Sequence, residues 1–344
     1  MTHKFYIFLL CFLSMFKLYA QWIPQEVATK ANFRAVHTVS PKVCWIGGSQ
    51  GTFLKTTNSG KSWQVQKVAK ADSLDFRDVY AFDNKVAFLM SAGEAEKGKA
   101  KIYKTIDGGK TWKIVFATQE KGVFLDGIDF WDKKNGIAFG DPIENKFYIL
   151  ITKDGGESWQ RVNPDLLPPI QEGEAAFAAS GTSIVTYGKT SAWIGTGGGK
   201  VGRIFYTHDQ GKSWQVSETA LQAGKSAGIF GLRFWDKNTG IAVGGDYINT
   251  KDAAPNVSIT YDGGKSWSVI TTTDPKGLKE AVSLYKEKIL LCVGNGTCYS
   301  KDFGKTWTKI DDSVFHAVSF SGNVGFAVSG KGVVSKFDKQ FDLK

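Results

Sequence analysis

Short apolar segments separated by turns of glycine, aspartate and asparagine run along most of the 344-residue chain. Residues 125–141, LDGIDFWDKKNGIAFGD, give an alternating segment, a polar turn and then a small-residue apolar segment that ends in glycine. Residues 229–246, IFGLRFWDKNTGIAVGGD, repeat that order. A third apolar segment follows and leads into a glycine-rich turn, and a fourth follows the turn. Because alternation over a few residues predicts half-buried strands, each unit is predicted to form four short antiparallel strands.

The turn between the third and fourth segments carries an eight-residue string that recurs along the chain. It reads TIDGGKTW at residues 105–112. Altered copies are TTNSGKSW (56–63), TKDGGESW (152–159), THDQGKSW (207–214), TYDGGKSW (260–267) and SKDFGKTW (300–307). The tryptophans that end the strings are 40 to 55 residues apart. That period is the length of one four-stranded blade and predicts a β-propeller.

Both ends of the chain contribute to the blade count. The last unit, residues 314–338, supplies three strands and no tryptophan string. The segment from Gln21 aligns with residues 62–79, which sets Trp22 over Trp63. We therefore expect the first mature strand to complete the last blade and close the ring, which leaves no open sheet edge. The predicted fold class is all-β, a seven-bladed β-propeller of four-stranded antiparallel blades, in one domain over residues 21–344.

The recurring string is similar to the Asp-box, or BNR repeat, of sialidases and related propellers. The whole mature chain resembles the secreted propellers of the photosystem II stability/assembly factor-like family. This resemblance implies a binding or assembly role rather than catalysis, and it assigns no catalytic residue. In five boxes an aspartate accepts turn amides, and Asn58 can do so in the first; glycine supplies left-handed backbone, so we expect structural turns. The box residues are Asn58, Asp107, Asp154, Asp209, Asp262 and Asp302.

The first twenty residues have a basic start at Lys4, an apolar run from Phe5 to Phe16 and a small residue at Ala20. They are typical of a signal peptide. We expect an exported protein, periplasmic or extracellular, with no membrane span after cleavage. Removing Lys4 and Lys17 takes the formal net charge from +10 to 10 − 2 = +8. The remaining positive charge is scattered lysine, so no nucleic-acid partner is expected.

Three cysteines remain after cleavage, and two of them flank the short hairpin VGNGT. An odd-length loop would set Cys292 opposite Cys298 and permit a disulfide, whereas a two-residue turn would set Val293 opposite Cys298. Both registers are compatible with the sequence. The three histidines of the mature chain are too scattered to predict a metal site, and no cofactor is expected.

The entries to the inner strands predict a polar site at one mouth of the central channel. Aligned on their apolar positions, they place seven residues around that mouth: Arg34, Arg77, Asp126, Ala175, Phe230, Glu280 and His316. Glu174 is expected to reach the same mouth. Such a patch suits a carboxylate or a charged peptide surface. The alternative is a solvated rim of internal ion pairs.

Two function classes remain open at this point. The first is a monomeric binding or assembly propeller that presents its mouth to a protein partner or an anionic ligand. The second is a glycan-directed protein, either lectin-like or a divergent sialidase or glycoside hydrolase. A sialidase grips its substrate carboxylate with three arginines, whereas Arg161 and Arg203 fall on outer and third strands. Arg233 falls three positions after the mouth register, which predicts the opposite strand face.

Overall fold

The computed structural model describes residues 21–271, 275–286 and 289–338. The predicted signal peptide, residues 1–20, lies outside the described residues. Seven antiparallel sheets of four strands each form the molecule, which confirms the predicted seven-bladed propeller. Two single-turn 3-10 helices, Ala95–Lys97 and Pro164–Leu166, occur in loops. Within the described ranges, no helix is long and apolar enough to cross a membrane.

The strands of each blade follow one another in sequence from the channel outward. Blade 1 contains β2 (Phe33–Thr38), β3 (Cys44–Gly48), β4 (Thr52–Thr56) and β5 (Gln64–Lys67). Blade 2 contains β6 (Asp75–Ala81), β7 (Ala87–Ala92), β8 (Lys101–Thr105) and β9 (Lys113–Ala117). Blade 3 contains β10 (Leu125–Phe130), β11 (Gly136–Ile143), β12 (Lys146–Thr152) and β13 (Gln160–Arg161).

The remaining blades keep that order, except for the last. Blade 4 contains β14 (Ile184–Tyr187), β15 (Ser191–Gly195), β16 (Val201–Thr207) and β17 (Gln215–Gln222). Blade 5 contains β18 (Ala227–Phe234), β19 (Gly240–Asp246), β20 (Val257–Thr260) and β21 (Ser268–Val269). Blade 6 contains β22 (Lys279–Tyr285), β23 (Ile289–Gly294), β24 (Gly296–Ser300) and β25 (Thr308–Asp311). Blade 7 contains β26 (Ala317–Ser321), β27 (Val324–Val328), β28 (Val334–Phe337) and β1 (Trp22–Pro24).

The ring closes as the tryptophan alignment predicts. Strand β1 pairs antiparallel with β28, with Trp22 opposite Phe337. The buried indole of Trp22 also packs 5.0 Å from the ring of Phe315, and its Nε1 donates to Thr297 Oγ1 of blade 6. Strand β1 therefore joins the last blade to its neighbour.

The hydrophobic core lies between the blades. Seven clusters of buried apolar side chains each combine residues from two adjacent blades, one cluster for each junction. The box tryptophans pack at these junctions. The Trp112 ring of blade 2, for example, lies edge-on to Phe53 of blade 1, with ring centroids 5.2 Å apart. Burial of large rings at each junction fixes one blade against the next.

The box acids bind the turn that contains them. In blade 3, Asp154 Oδ1 accepts the hydroxyl of Thr152 at 2.8 Å and the amide of Ser158 at 3.0 Å, while Oδ2 accepts the Ser158 hydroxyl at 2.6 Å. The Ser158 bonds are the main reason why the pKa of Asp154 lies far below its usual range. Because the carboxylate form is the one stabilised, this contribution is present above pH about 4 and is lost as the pH falls through the lowered pKa.

The register of the hairpin in blade 6 sets the two cysteines directly opposite each other. A single residue, Asn295, separates β23 from β24, and Cys292 pairs with Cys298. Both are buried free thiols in this structure, as is Cys44. The register meets the geometric condition for a disulfide, whose formation stays a prediction.

Replacing Trp22 by alanine tests the ring closure. We expect Trp22→Ala to lower the free energy of unfolding by about 3–5 kcal/mol, because the indole is buried between two blades. Ile23 on the same strand is 44% exposed, and Ile23→Ala should change stability by about 0.5 kcal/mol or less. Chemical denaturation of both variants measures the difference. Equal stabilities would contradict closure through β1.

Changing the box of blade 3 tests the structural interpretation of the boxes. We expect Asp154→Ala to lower the melting temperature by a few degrees, because the bonds to the turn are lost. Asp154→Asn should retain most of the stability, since Asn58 makes the matching bonds to Thr56 and Ser62 in blade 1. Ligand binding at the channel should be unchanged in both variants. Normal melting with lost binding would show that the box is a site.

Candidate functional site

Five of the seven inner strands carry a β-bulge at the same place. In blade 1, Phe33 pairs with Gly48 and Ala35 pairs with Gly47, so that Arg34 is an extra residue without a cross-strand partner. The corresponding extra residues of blades 2, 3, 5 and 6 are Arg77, Asp126, Phe230 and Glu280. A bulge redirects a side chain locally. Here it directs these five side chains into the channel mouth.

Glycine stands opposite the bulge on the second strand of blades 1, 3, 5 and 6, and Ser91 takes that position in blade 2. A Cβ added to Gly140 would lie 2.0 Å from the carbonyl oxygen of Phe124, and one added to Gly244 would lie 2.0 Å from that of Gly228. The two backbones therefore approach more closely than any side chain would allow. This contact explains the glycine that ends the second strand of the repeat.

The bulge also resets the alternation of the inner strand. Because the bulge adds one residue to the strand, a residue three positions after the bulge faces the same way as the bulged residue. Arg233 therefore lines the channel, as Phe230 does. The expectation that Arg233 lies on the opposite strand face is wrong for this reason. His37, Asp129 and Ser283 occupy the matching position in other blades and also line the channel.

The mouth encloses a cavity of about 450 Å³. Its cationic side is formed by Arg34 and Arg77, whose side chains are about one third exposed at 32% and 34%. The Arg34 guanidinium donates to the carbonyl of Ala179 at 3.5 Å, and Arg77 donates to that of Ala178 at 3.4 Å. Arg77 Nε also donates to Asp75 at 2.8 Å. Burial lowers the pKa of Arg34.

The acids of the mouth are only weakly available to a ligand. Glu280 is buried and contacts His316 Nδ1 at 2.9 Å and Arg34 at 3.6 Å. Asp126 is buried, and its Oδ2 makes no hydrogen bond. Burial and the neighbouring Asp141 raise the pKa of Asp126 well above its usual range, which favours the neutral carboxyl.

The opposite side of the mouth cavity is apolar. The Phe177 ring stacks on Phe230 at a centroid distance of 4.6 Å and an angle of 3°, and Tyr247 meets Phe177 edge-on at 6.0 Å. Leu278 completes this wall, and Val314 is 54% exposed at the rim. The cavity therefore joins two arginines to an aromatic surface.

A segment of blade 4, residues 176–182, crosses the channel below the mouth; we call it the crossing segment. Its residues 176–179 line the mouth cavity, and its residues 180–182 line a second cavity further along the channel. The segment contacts blades 1 and 2 through the arginine bonds to Ala178 and Ala179. A Cβ on Gly181, which has a φ of 69°, would lie 2.3 Å from Asp78 Oδ1.

Residues 172–183 have mostly small side chains but form no strand, and the inner strand of blade 4 begins only at Ile184. The small side chains of the preceding segment instead let it lie across the channel. Ala175 pairs with Gly197 rather than lining the mouth. Two contributors to the mouth, Phe177 and Asp141, were missed because neither occupies the aligned strand position.

Glu174 does not reach the mouth cavity. Its buried carboxylate accepts Nε of Arg203 at 3.0 Å and the Thr196 hydroxyl at 2.6 Å, and it forms a salt bridge with Arg203 Nη2. The expected position at the mouth is therefore corrected. The ion pair joins residues 29 positions apart, so no local pattern could reveal it.

Five of the predicted site residues do meet in the mouth, as the alignment predicts: Arg34, Arg77, Asp126, Glu280 and His316. Within the described part of the chain, no group of three His, Cys, Asp or Glu side chains is arranged to hold a metal. The geometry suits a ligand with an anionic group and an adjacent apolar group.

Comparison with known proteins identifies the repeat and the fold. The BNR/Asp-box repeat model matches residues 205–216 and 299–309. The photosystem II assembly lipoprotein Ycf48 of Synechococcus sp. (strain CC9902) is 28% identical over 176 residues, which cover 51% of this chain and 45% of that protein. The chloroplastic photosystem II stability/assembly factor HCF136 of Guillardia theta is 25% identical over 312 residues, 85% of this chain and 76% of that protein.

A solved structure described as YCF48 bound to D1 peptide has a TM-score of 0.65 and 16% identity, and the match covers 93% of this chain and 95% of that one. At that identity the likeness shows the fold. The first relative is matched over less than half of its own length. The chain is thus an Asp-box β-propeller that resembles the photosystem II stability/assembly factors.

Replacing Gly140 by alanine tests the origin of the mouth. We expect Gly140→Ala to cost about 1–3 kcal/mol of stability or more, because its Cβ would overlap the Phe124 carbonyl. Gly224→Ala is the matched control, since no atom lies within 4 Å of the added Cβ. Denaturation curves measure both changes. A Gly140→Ala protein as stable as the control would show that the bulge of blade 3 does not require glycine, just as the bulge of blade 2 forms opposite Ser91.

Proposed function

We propose that the chain is an exported, non-catalytic binding propeller whose channel mouth holds a segment of a protein partner. A carboxylate of the partner binds Arg34 and Arg77, and an adjacent apolar side chain packs against Phe177 and Phe230. The observation that carries the proposal is the presence of two arginines and an aromatic surface in one cavity of about 450 Å³.

The arginines are suited to carboxylate binding. A guanidinium has five N–H donors in a planar fork that matches a carboxylate. The bonds to Ala178 and Ala179 hold Arg77 and Arg34 in place while leaving both side chains about one third exposed. Preorganised donors lose little entropy on binding. The raised pKa of Asp126 reduces repulsion of an anionic ligand.

The apolar wall favours a peptide over a free anion. Phe177, Phe230 and Leu278 form a cluster, and the exposed side chains of Tyr247 and Ile248 extend it along the rim. Apolar area adjoining a few polar groups is typical of peptide and small-molecule sites. A propeller of the same fold has been solved with a D1 peptide, which supports a peptide ligand for this chain.

Export rests on separate support. The first twenty residues have the composition of a signal peptide, and one relative is described as a lipoprotein. The partner segment is consequently expected in the compartment that receives the mature chain.

Fluorescence anisotropy with matched peptides tests this proposal. The probes are short labelled peptides with an aromatic residue next to a free carboxylate, compared with the same peptides amidated at that group. We expect amidation, and separately the change of Arg34 and Arg77 to glutamine, to weaken binding roughly tenfold or more, because charge-assisted hydrogen bonds contribute about 1.5–3 kcal/mol each.

The control variant is Arg161→Gln, which changes an arginine on the outer strand of blade 3 away from the mouth. It should bind as the unaltered protein does. Equal affinities for free and amidated peptides would contradict a carboxylate site. Binding of sialosides without peptide binding, or turnover of a glycoside that is lost in Asp126→Asn, would replace this proposal with the glycan-directed class.

A further inference from the structure

A second cavity lies in the channel on the far side of the crossing segment; we call it the inner cavity. It has a volume of about 290 Å³ and is lined by residues of the inner strands. The crossing segment contributes Ser180, Gly181 and Thr182 to its wall. The peptide site proposed for the mouth makes no use of this cavity.

Arg233 places a cation without a direct ion pair in the inner cavity. Its Nε atom is shielded from solvent and has no hydrogen-bond partner. The described residues form no hydrogen bond or salt bridge with its guanidinium, although Asp129 lowers the energy of the charge from a distance. Burying a guanidinium without hydrogen-bond acceptors is costly, because its N–H donors lose their bonds to water and gain none in return.

The two acids of the cavity are already occupied. Asp129 accepts the amides of Phe130 at 2.8 Å and Thr186 at 2.7 Å. Asp78 accepts the amides of Val79 at 2.7 Å and Ile128 at 2.8 Å. These bonds hold the carboxylates against the backbones of their own and neighbouring blades. Each of the four carboxyl oxygens therefore already accepts one backbone amide.

Three uncharged groups offer hydrogen-bond donors to the same space. His37 Nδ1 accepts the amide of Ala81 at 3.1 Å, so the proton of the neutral ring resides on Nε2. Burial lowers the pKa of His37 to about 4, which keeps the ring neutral. The hydroxyls of Ser283 and Ser319 accept amides from the next blade, and each retains its own hydrogen to donate.

We propose that the inner cavity binds one small monovalent anion, held by Arg233 with the imidazole of His37 and the hydroxyls of Ser283 and Ser319 as further donors. The ligand class includes a halide and a small carboxylate such as formate. A monovalent ion suits the site because the Asp129 carboxylate lines the same cavity and disfavours a second negative charge. Burial raises the pKa of Asp78 well above its usual range, which favours its neutral form.

Thermal melting in formate tests this site in solution, with the ionic strength held constant by sulfate, a divalent anion that the site disfavours. The unaltered protein should gain roughly 5 °C in a saturable manner, because a ligand that binds only the folded state stabilises it by mass action. Arg233→Gln should lose the saturable rise. Arg161→Gln is the control for general salt effects and should keep it. Equal formate dependence in Arg233→Gln and the unaltered protein would contradict the proposal.

Bromide diffraction provides a second measurement on the unaltered protein, should Arg233→Gln fail to fold. An anomalous peak within hydrogen-bond reach of the Arg233 guanidinium is expected. An empty inner cavity at saturating bromide would overturn the proposal. A peak in the crystal without any saturable shift in solution would mark an adventitious ion only, and would overturn it equally.

Discussion

The β-bulge in the inner strand of five blades is the constraint on which the channel depends. At Gly140 and Gly244 the space for a Cβ is occupied by a carbonyl oxygen of the inner strand. This approach accommodates one extra residue in the inner strand, and the extra residue is the one that faces the mouth. The bulge also turns the residue three positions later into the channel. A single backbone device, repeated in five blades, thus sets both the mouth and the inner cavity.

The bulged strands are held in place by the junctions between blades. Apolar clusters fill each junction, and side chains facing the channel add polar bonds to the backbone of the next blade. His37, Asp129, Ser283 and Ser319 each accept an amide of the following blade, at 2.7–3.2 Å. Because these amides would otherwise lie buried and unpaired, the bonds are required by the fold as well as by the channel. Arg233 cannot act in this way, since a guanidinium has no acceptor.

Repetition is the reason why the sequence predicts so much of the architecture. Six boxes and Trp22 predict the number of blades and the closure of the ring, because each copy marks the turn before the outer strand of one blade and the tryptophan that packs against the neighbouring blade. The mouth residues Arg34, Arg77 and Glu280 follow from alignment of the copies. The crossing segment, by contrast, exists in one blade only, and the Glu174–Arg203 pair joins distant positions. Features that depend on a single long-range contact leave no repeated pattern, so reasoning from periodicity misplaces them.

The positions of the five arginines of the chain favour binding over sialidase chemistry. Arg34 and Arg77 meet in the mouth, whereas Arg233 lies beyond the crossing segment in a separate cavity. Arg203 is bound to the buried Glu174, and Arg161 pairs with Glu120 on an outer strand. Three guanidinium groups therefore do not converge on one carboxylate, as a sialidase requires. Two arginines beside an aromatic wall instead match the anionic peptide group that we propose as the ligand of the mouth.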